Sequence, residues 1–343
     1  LDADQFIKDN INSANGGNNS IDVFNGTLYF WEPTDGNDHY KDHYDGGSAS
    51  YHLTGGTPAT SCKSGNTVGA KTPDRYIPVG QGFFVWSETT NDGGNITFNN
   101  AQRIFKTTPN TLIRPVSLTN IRIGLDTPLN YHRQLLLGVR AGTTFDIDVG
   151  WDGPNFDSDY AGADMNWLIN GKAFNIQAIP EINKDTRIPL KVSLNMDGMM
   201  TFTLDNVENL PAGIDALYIY DAANDSYHQI DYNKSFDLYL HVGDYNDRFA
   251  LTFNNKTTLS EDELQLDGIL AYYNPVLSEI DINTNQTISD VSLYALTGQE
   301  VLHHDIKSNT KFISIPVKLS KGVYLLKIMS HHNKTYTKKL FIK

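Results

Sequence analysis

Downstream of about residue 116, short strand-like runs of apolar and polar residues recur every ten to fifteen residues. The runs cover residues 121–125, 133–139, 174–179, 187–194, 200–204, 216–220, 236–240 and 248–253. Turn residues such as Asp197, Gly198, Pro211 and Gly213 separate them. Short strands at this spacing predict an antiparallel β-sandwich or jelly-roll-like region. No strand–helix–strand period is present, which argues against a doubly wound nucleotide-binding fold. Nor is there a repeat at 20–50 residues.

Residues 1–12 carry the only helical pattern. Phe6, Ile7 and Ile11 form its apolar stripe, and Asp2 or Asp4 can cap it. A strand is expected at 28–31, just after Asn25 and Gly26, and a shorter one near 49–52. Between 32 and 70 the Gly, Asp, His, Ser and Thr content predicts long surface loops. Residues 76–86 read as a strand, and a turn at 91–94 leads into a second strand at 95–98. The two would form a hairpin, continued or followed by 101–105.

In the last seventy-odd residues Val291, Leu293 and Ala295 alternate with Ser292 and Tyr294. Thr297 and Gly298 make a turn, and 300–306 returns as a strand. Residues 312–315 are a third strand, Gly322 opens a fourth over 323–328, and 336–342 pairs back. This predicts a small immunoglobulin-like β-sandwich. The fold class is therefore all-β. The expected division is a β-rich region with long loops at 1–115, an antiparallel sandwich at 116–255, a linker at 256–270 and a C-terminal domain at 271–343.

Charge sharpens that last boundary. From Ala271 onward there are 9 Lys and no Arg against 5 acidic residues, a net of about +4. The other 18 basic and 35 acidic residues leave about −17 upstream. Such an acidic body has no basic stripe to release counterions, so no nucleic-acid partner is expected. No apolar run approaches the ~20 residues a membrane-spanning helix needs. The single cysteine, Cys62, cannot form an internal disulfide and reads as a plain loop thiol. Leu1 is not an initiator, so a removed targeting segment and a longer upstream protein are both expected.

Three constellations could carry chemistry. His39 and His43 lie four apart among Asp38, Asp42 and Asp45, a zinc spacing on a helix, but the stretch is Gly- and Asp-rich with no helix signal. Asp146, Asp148, Asp152, Asp157, Asp159 and Asp164 crowd one segment. Calcium is the hard cation such a loop would take, although no glutamate closes an EF-hand-like loop. Turn and cap aspartates are the other reading. No cofactor is expected. Trp31, Trp86, Trp151 and Trp167 could offer a sugar-stacking surface, yet Trp31 and Trp86 end apolar strands and read as core or rim packing. No nucleophile elbow or phosphate loop occurs, and a glycosidase pair would be an arbitrary choice among many carboxylates.

The tail's motifs come in a telling order. Tyr272, Tyr273, Asn274 and Pro275 open it, residues 293–301 (LYALTGQEV) form the hairpin, 321–328 (KGVYLLKI) follow, and 338–343 (KKLFIK) close it. In this the tail resembles the type A C-terminal sorting domain of proteins exported by the type IX secretion system of Bacteroidota. The match covers 272–343 and departs only in Tyr-Tyr-Asn-Pro where Pro-Asn-Pro is usual. The resemblance implies a sorting signal at Asn274, Pro275, Gly298, Gly322, Tyr324, Lys338, Lys339 and Lys343. It also implies export through the periplasm and recognition of the folded tail by the outer-membrane translocon and its sorting and attachment machinery. The cargo would then be secreted or held at the cell surface, with lipopolysaccharide or glycans as further partners. Residues 26–32, 77–85, 99–105 and 244–249 resemble a β-rich module that often precedes such tails. The expectation is a non-enzymatic structural or adhesive cargo. The alternative is a carbohydrate-binding module attached to a secreted hydrolase, which a row of coplanar exposed aromatics would favour.

Overall fold

The chain begins with a capped helix, α1 (Ala3–Asn10), whose N-cap Asp2 accepts a hydrogen bond from the Gln5 N–H. Asp2 also holds Arg75 through Nε at 2.8 Å. Phe6, Ile7 and Ile11 are fully buried against Phe24, Leu28, Tyr51 and Ile77, so the predicted apolar stripe is the one that packs. These coordinates come from a computed structural model, which describes residues 1–33, 46–60, 71–87, 94–105, 118–129, 131–156, 162–255, 269–275, 277–306, 310–331 and 334–342. Backbone proximity divides the chain into two units, Leu1–Asn255 and Lys256–Lys343.

In the first unit, β1 (Leu28–Pro33), β2 (Gly46–His52), β3 (Gly55–Thr57) and β4 (Phe84–Val85) form a sheet in the order β3-β2-β1-β4. Leu28 pairs with Tyr51 on one side and Val85 on the other. These three face the helix, while Phe30 and Phe83 pack at the rim of the same cluster. The hairpin expected at 95–98 does not form, and the expected strand over 76–86 shrinks to Phe84–Val85. Buried Asn10 replaces the missing partner strand: its Oδ1 accepts from Thr97 N at 2.7 Å and its Nδ2 donates to Thr97 O at 3.0 Å. A 3₁₀ turn at Asn100–Gln102 with a capping box then takes the place expected for strand.

The sandwich consists of β5 (Asn120–Asp126), β6 (His132–Val139), β7 (Gly153–Pro154), β8 (Ala163–Ile169), β9 (Lys172–Ile179), β10 (Arg187–Leu194), β11 (Gly198–Glu208), β12 (Leu217–Asp221), β13 (Ser226–Ile230), β14 (Phe236–Leu240) and β15 (Gly243–Thr252). The order is β13-β12-β15-β10-β8-β9-β6-β5-β11-β14, with β7 on β9. All pairs are antiparallel except β6 with β9. β13 lies against β11 and β14, so the sheet wraps round its core. There Phe202 meets Phe236 at 5.7 Å and Phe249 at 5.4 Å between ring centroids. Each such buried aromatic contributes about 1.5–3 kcal/mol of apolar burial.

The second unit holds β16 (Ile269–Asn274), β17 (Glu279–Thr284), β18 (Ile288–Ala295), β19 (Glu300–Asp305), β20 (Phe312–Pro316), β21 (Gly322–Ser330) and β22 (Thr335–Ile342). Two sheets, β16-β17-β20 and β19-β18-β21-β22, enclose Ile280, Ile282, Val291, Leu293, Leu326 and Ile328. The all-β class read from the alternation is the observed one.

Candidate functional site

The described residues expected to carry the sorting signal occupy strand ends, turns and one outer strand of the C-terminal sandwich. Asn274 ends β16, where its Nδ2 donates to Asp281 Oδ2 at 3.3 Å and its Oδ1 accepts from Leu277 N. Asp281 is fully buried and also accepts from Ser314 Oγ at 3.0 Å. Asn274 thus ties the strand end to β17 and β20, and Pro275 directly follows where the ladder stops. Gly298 lies in the β18–β19 turn at φ +85°, closed by Gly298 N to Ala295 O at 2.9 Å. A left-handed residue there favours glycine. Gly322 opens β21 without a left-handed backbone, and a methyl group there would meet only ordinary contacts. Tyr324 packs against the core, and its hydroxyl donates to Ser320 O.

Lys338 and Lys339 pair with Leu326 and Leu325 along β22. Lys339 Nζ lies 5.2 Å from the centroid of the Phe341 ring, which is itself 56% exposed. One face of the β21–β22 pair therefore carries a cation, an aromatic ring and the exposed Leu325 together, chemistry that suits recognition of a folded surface. Lys343 lies outside the described residues.

Four of the aspartates that suggested calcium, Asp146, Asp148, Asp152 and Asp164, are held by donors of the protein itself. Asp148 Oδ2 accepts from Thr144 N and Oγ1, and Asp146 Oδ1 from Asn170 Nδ2. Buried Asp152 accepts from Asp148 N and Ala178 N, each at 2.7 Å. Burial pushes its carboxyl up to about 7, against the opposing pull of those two N–H groups. Asp164 pairs with Arg133, both side chains 3% exposed. Asn155 and Asn166 also donate to Asp164. Asp148, bonded to Thr144, fits the turn role of the alternative reading, whereas Asp152 and Asp164 are buried anchors bonded to distant strands. Asp157, Asp159, His39, His43 and Cys62 lie outside the described residues.

Two histidines in the first unit show opposite electrostatics. His132 bridges Asp126 at 2.6 Å and Asp205 at 2.9 Å. Those two hydrogen-bonded carboxylates raise its pKa to about 9, against the effect of burial. His52 is fully buried, and burial together with the charge of Arg140 lowers its pKa to about 3. Its Nδ1 accepts from Thr54 N, which fixes the tautomer. Sequence reasoning singled out neither residue, since a lone histidine in a strand gives no signal.

The tryptophans divide. Trp167 is fully buried, its Nε1 donating to Leu136 O. Trp151 is half-buried and donates to Asn15 O. Trp31 and Trp86 are 43% and 54% exposed, so of the expected core or rim packing they fit only the rim. Alternation explains the difference: on β1 the even residues face the helix, and Trp31 falls on the other face.

An all-β body followed by a separate small sandwich, with its strand-end asparagine and positive-φ turn, defines a protein carrying a C-terminal recognition domain. Comparison with known families makes this specific. Residues 270–343 match the Secretion system C-terminal sorting domain, and the chain is a type IX secretion substrate, exported to the cell surface or secreted. Residues 1–253 match the family described as Domain of unknown function (DUF8693), and the chain belongs to that family. No curated protein matches the chain. A solved structure of PorZ, an essential bacterial surface component of the type-IX secretion system of Porphyromonas gingivalis, is 12% identical. That match covers 94% of this chain and 60% of PorZ, with a TM-score of 0.19. Likeness at that score carries no structural weight. No helix among the described residues is long and apolar enough to cross a membrane.

Proposed function

We propose that residues 1–255 are a non-enzymatic, structural or adhesive cargo, delivered to the surface of a Bacteroidota cell by the sorting domain that follows. The observation that carries the reading is the sorting domain itself, at 270–343 behind an acidic β-rich body. Its partners would be the outer-membrane translocon and the attachment machinery, with lipopolysaccharide or glycans as surface ligands. The polar clusters of the body support a structural role. Buried Arg133 with Asp164, and His132 with Asp126 and Asp205, are polar groups that join strands.

A second reading, a carbohydrate-binding module attached to a secreted hydrolase, has the exposure of Trp31 and Trp86 in its support, although Trp86 stands edge-on to its neighbour Phe156 and not in a coplanar row. Deleting residues 271–343 tests the main reading. The truncated cargo should fold and accumulate in the periplasm, and its normal display on the surface would refute the proposal.

A further inference from the structure

The outer face of the β1–β4 pair carries a cluster of aromatic rings. Tyr29 and Phe84 are direct partners in register, Trp31 lies two residues along β1 on the same face, and Trp86 follows Phe84 by two. Tyr29 is 1% exposed and forms the floor. The Phe156 ring covers it at 4.6 Å between centroids, tilted by 30°. Trp86 then meets Phe156 edge-on, at 5.8 Å and 73°. Phe156 is 36% exposed and Phe84 61%, so with Trp31 and Trp86 four half-open rings surround one buried tyrosine. A concentration of exposed apolar surface like this marks a binding site more often than chance.

Asn25 ties the base of this corner together, donating from its backbone N to Trp86 O at 3.0 Å and from Nδ2 to the Tyr29 hydroxyl at 2.9 Å.

We infer that this aromatic corner binds a soluble chain of neutral sugars. The inference rests on the adhesive reading above and names its ligand. Three observations select that ligand. The large apolar residues on this face are aromatic rather than aliphatic, which suits stacking against the C–H faces of a pyranose. Neither β1 nor β4 contains a lysine or arginine, and residues upstream of Ala271 carry a net charge of about −17. Uronic, sulfated or phosphorylated glycans would therefore be repelled. Finally, the rings are not coplanar. An edge-to-face corner fits around one chain and cannot lie flat on a crystalline polysaccharide.

The test uses the full chain in native affinity gels containing xyloglucan, galactomannan or mixed-linkage β-glucan. Polygalacturonate gels and crystalline cellulose serve as acidic and insoluble probes. Retardation by at least one neutral polymer, with none by polygalacturonate and no pull-down on cellulose, is expected. Trp86→Ala and Phe84→Ala should each weaken that binding about tenfold or more while leaving the urea midpoint in place. If a variant unfolds, the saccharide should instead protect the wild-type tryptophans from N-bromosuccinimide. No retardation by any neutral polymer, binding only to the acidic or crystalline probe, or undiminished binding by folded variants would each overturn the inference. So would a saccharide that leaves tryptophan oxidation unchanged. The adhesive reading is scored separately, by attachment of cells displaying the intact chain. Attachment that survives both substitutions refutes the aromatic corner alone, whereas no attachment by the intact chain refutes adhesion.

Discussion

Arg133 Nε lies 2.5 Å from Asp164 Oδ1, with both side chains shut away from water. Taking one member away strands the other charge in a low-dielectric interior. Arg133→Met should therefore cost about 3–5 kcal/mol in urea unfolding. The double variant Arg133→Met, Asp164→Leu should recover much of that loss, because it removes both charges. A double variant no better than the single one would show that packing, not charge, dominates there.

The His132 bridge makes stability depend on pH with a definite sign. Its folded pKa, about 9, lies above the ordinary histidine value. Its contribution is therefore complete below about pH 6.5 and disappears as pH rises through 9. Asp126 is half-exposed, so solvent screening limits the effect to about 1 kcal/mol. His132→Gln should flatten the pH dependence of the urea midpoint between 6.5 and 9. An unchanged slope would assign it to other groups.

Asn10 should behave as a core residue despite its polarity. It is fully buried and bonds Thr97 in both directions, with a third bond to Phe6 O. Asn10→Ala leaves the Thr97 N–H without its acceptor and should destabilise the chain by about 2–3 kcal/mol. A loss under 1 kcal/mol would mean that water takes over the role.

The two glycines expected in the sorting signal should separate cleanly. Gly298→Ala places a side chain at φ +85° and should cost about 1 kcal/mol. Gly322→Ala meets no such strain and should stay within about 0.5 kcal/mol. If Gly322→Ala nevertheless blocks export, that glycine is read by the partner rather than required by the fold.

Excess chelator is expected to leave the melting temperature unchanged. Asp146, Asp148, Asp152 and Asp164 are already engaged by N–H, hydroxyl or guanidinium donors. A cation bound only by the folded state would raise stability, so a marked drop on adding chelator would contradict this.

Much of the sandwich was legible because its strands alternate. Residues 187–194 and 236–240 were read with the observed bounds. β8 was missed for a physical reason: nearly all its residues are buried, so alternation vanishes, and Asp164 and Asn166 resemble loop residues. Asp164's partners Arg133 and Asn155 come from elsewhere in the chain. The false strand at 95–98 has the opposite cause, a side chain standing in for a backbone partner. In the tail, the hairpin and the role of Gly298 could be read directly. The bond from Asn274 to Asp281 could not, because it joins two strands across a turn. The aromatic corner was half visible: its tryptophans were noticed, but Phe156 joins them only in three dimensions.

The charge asymmetry has a colloidal consequence. A body carrying about −17 repels its own copies, which lets it travel with four half-open rings on its surface without sticking to itself. Salt shortens the reach of that repulsion to about 8 Å at physiological strength. Self-association of this chain should therefore grow as salt is added, the reverse of an assembly held together by ion pairs.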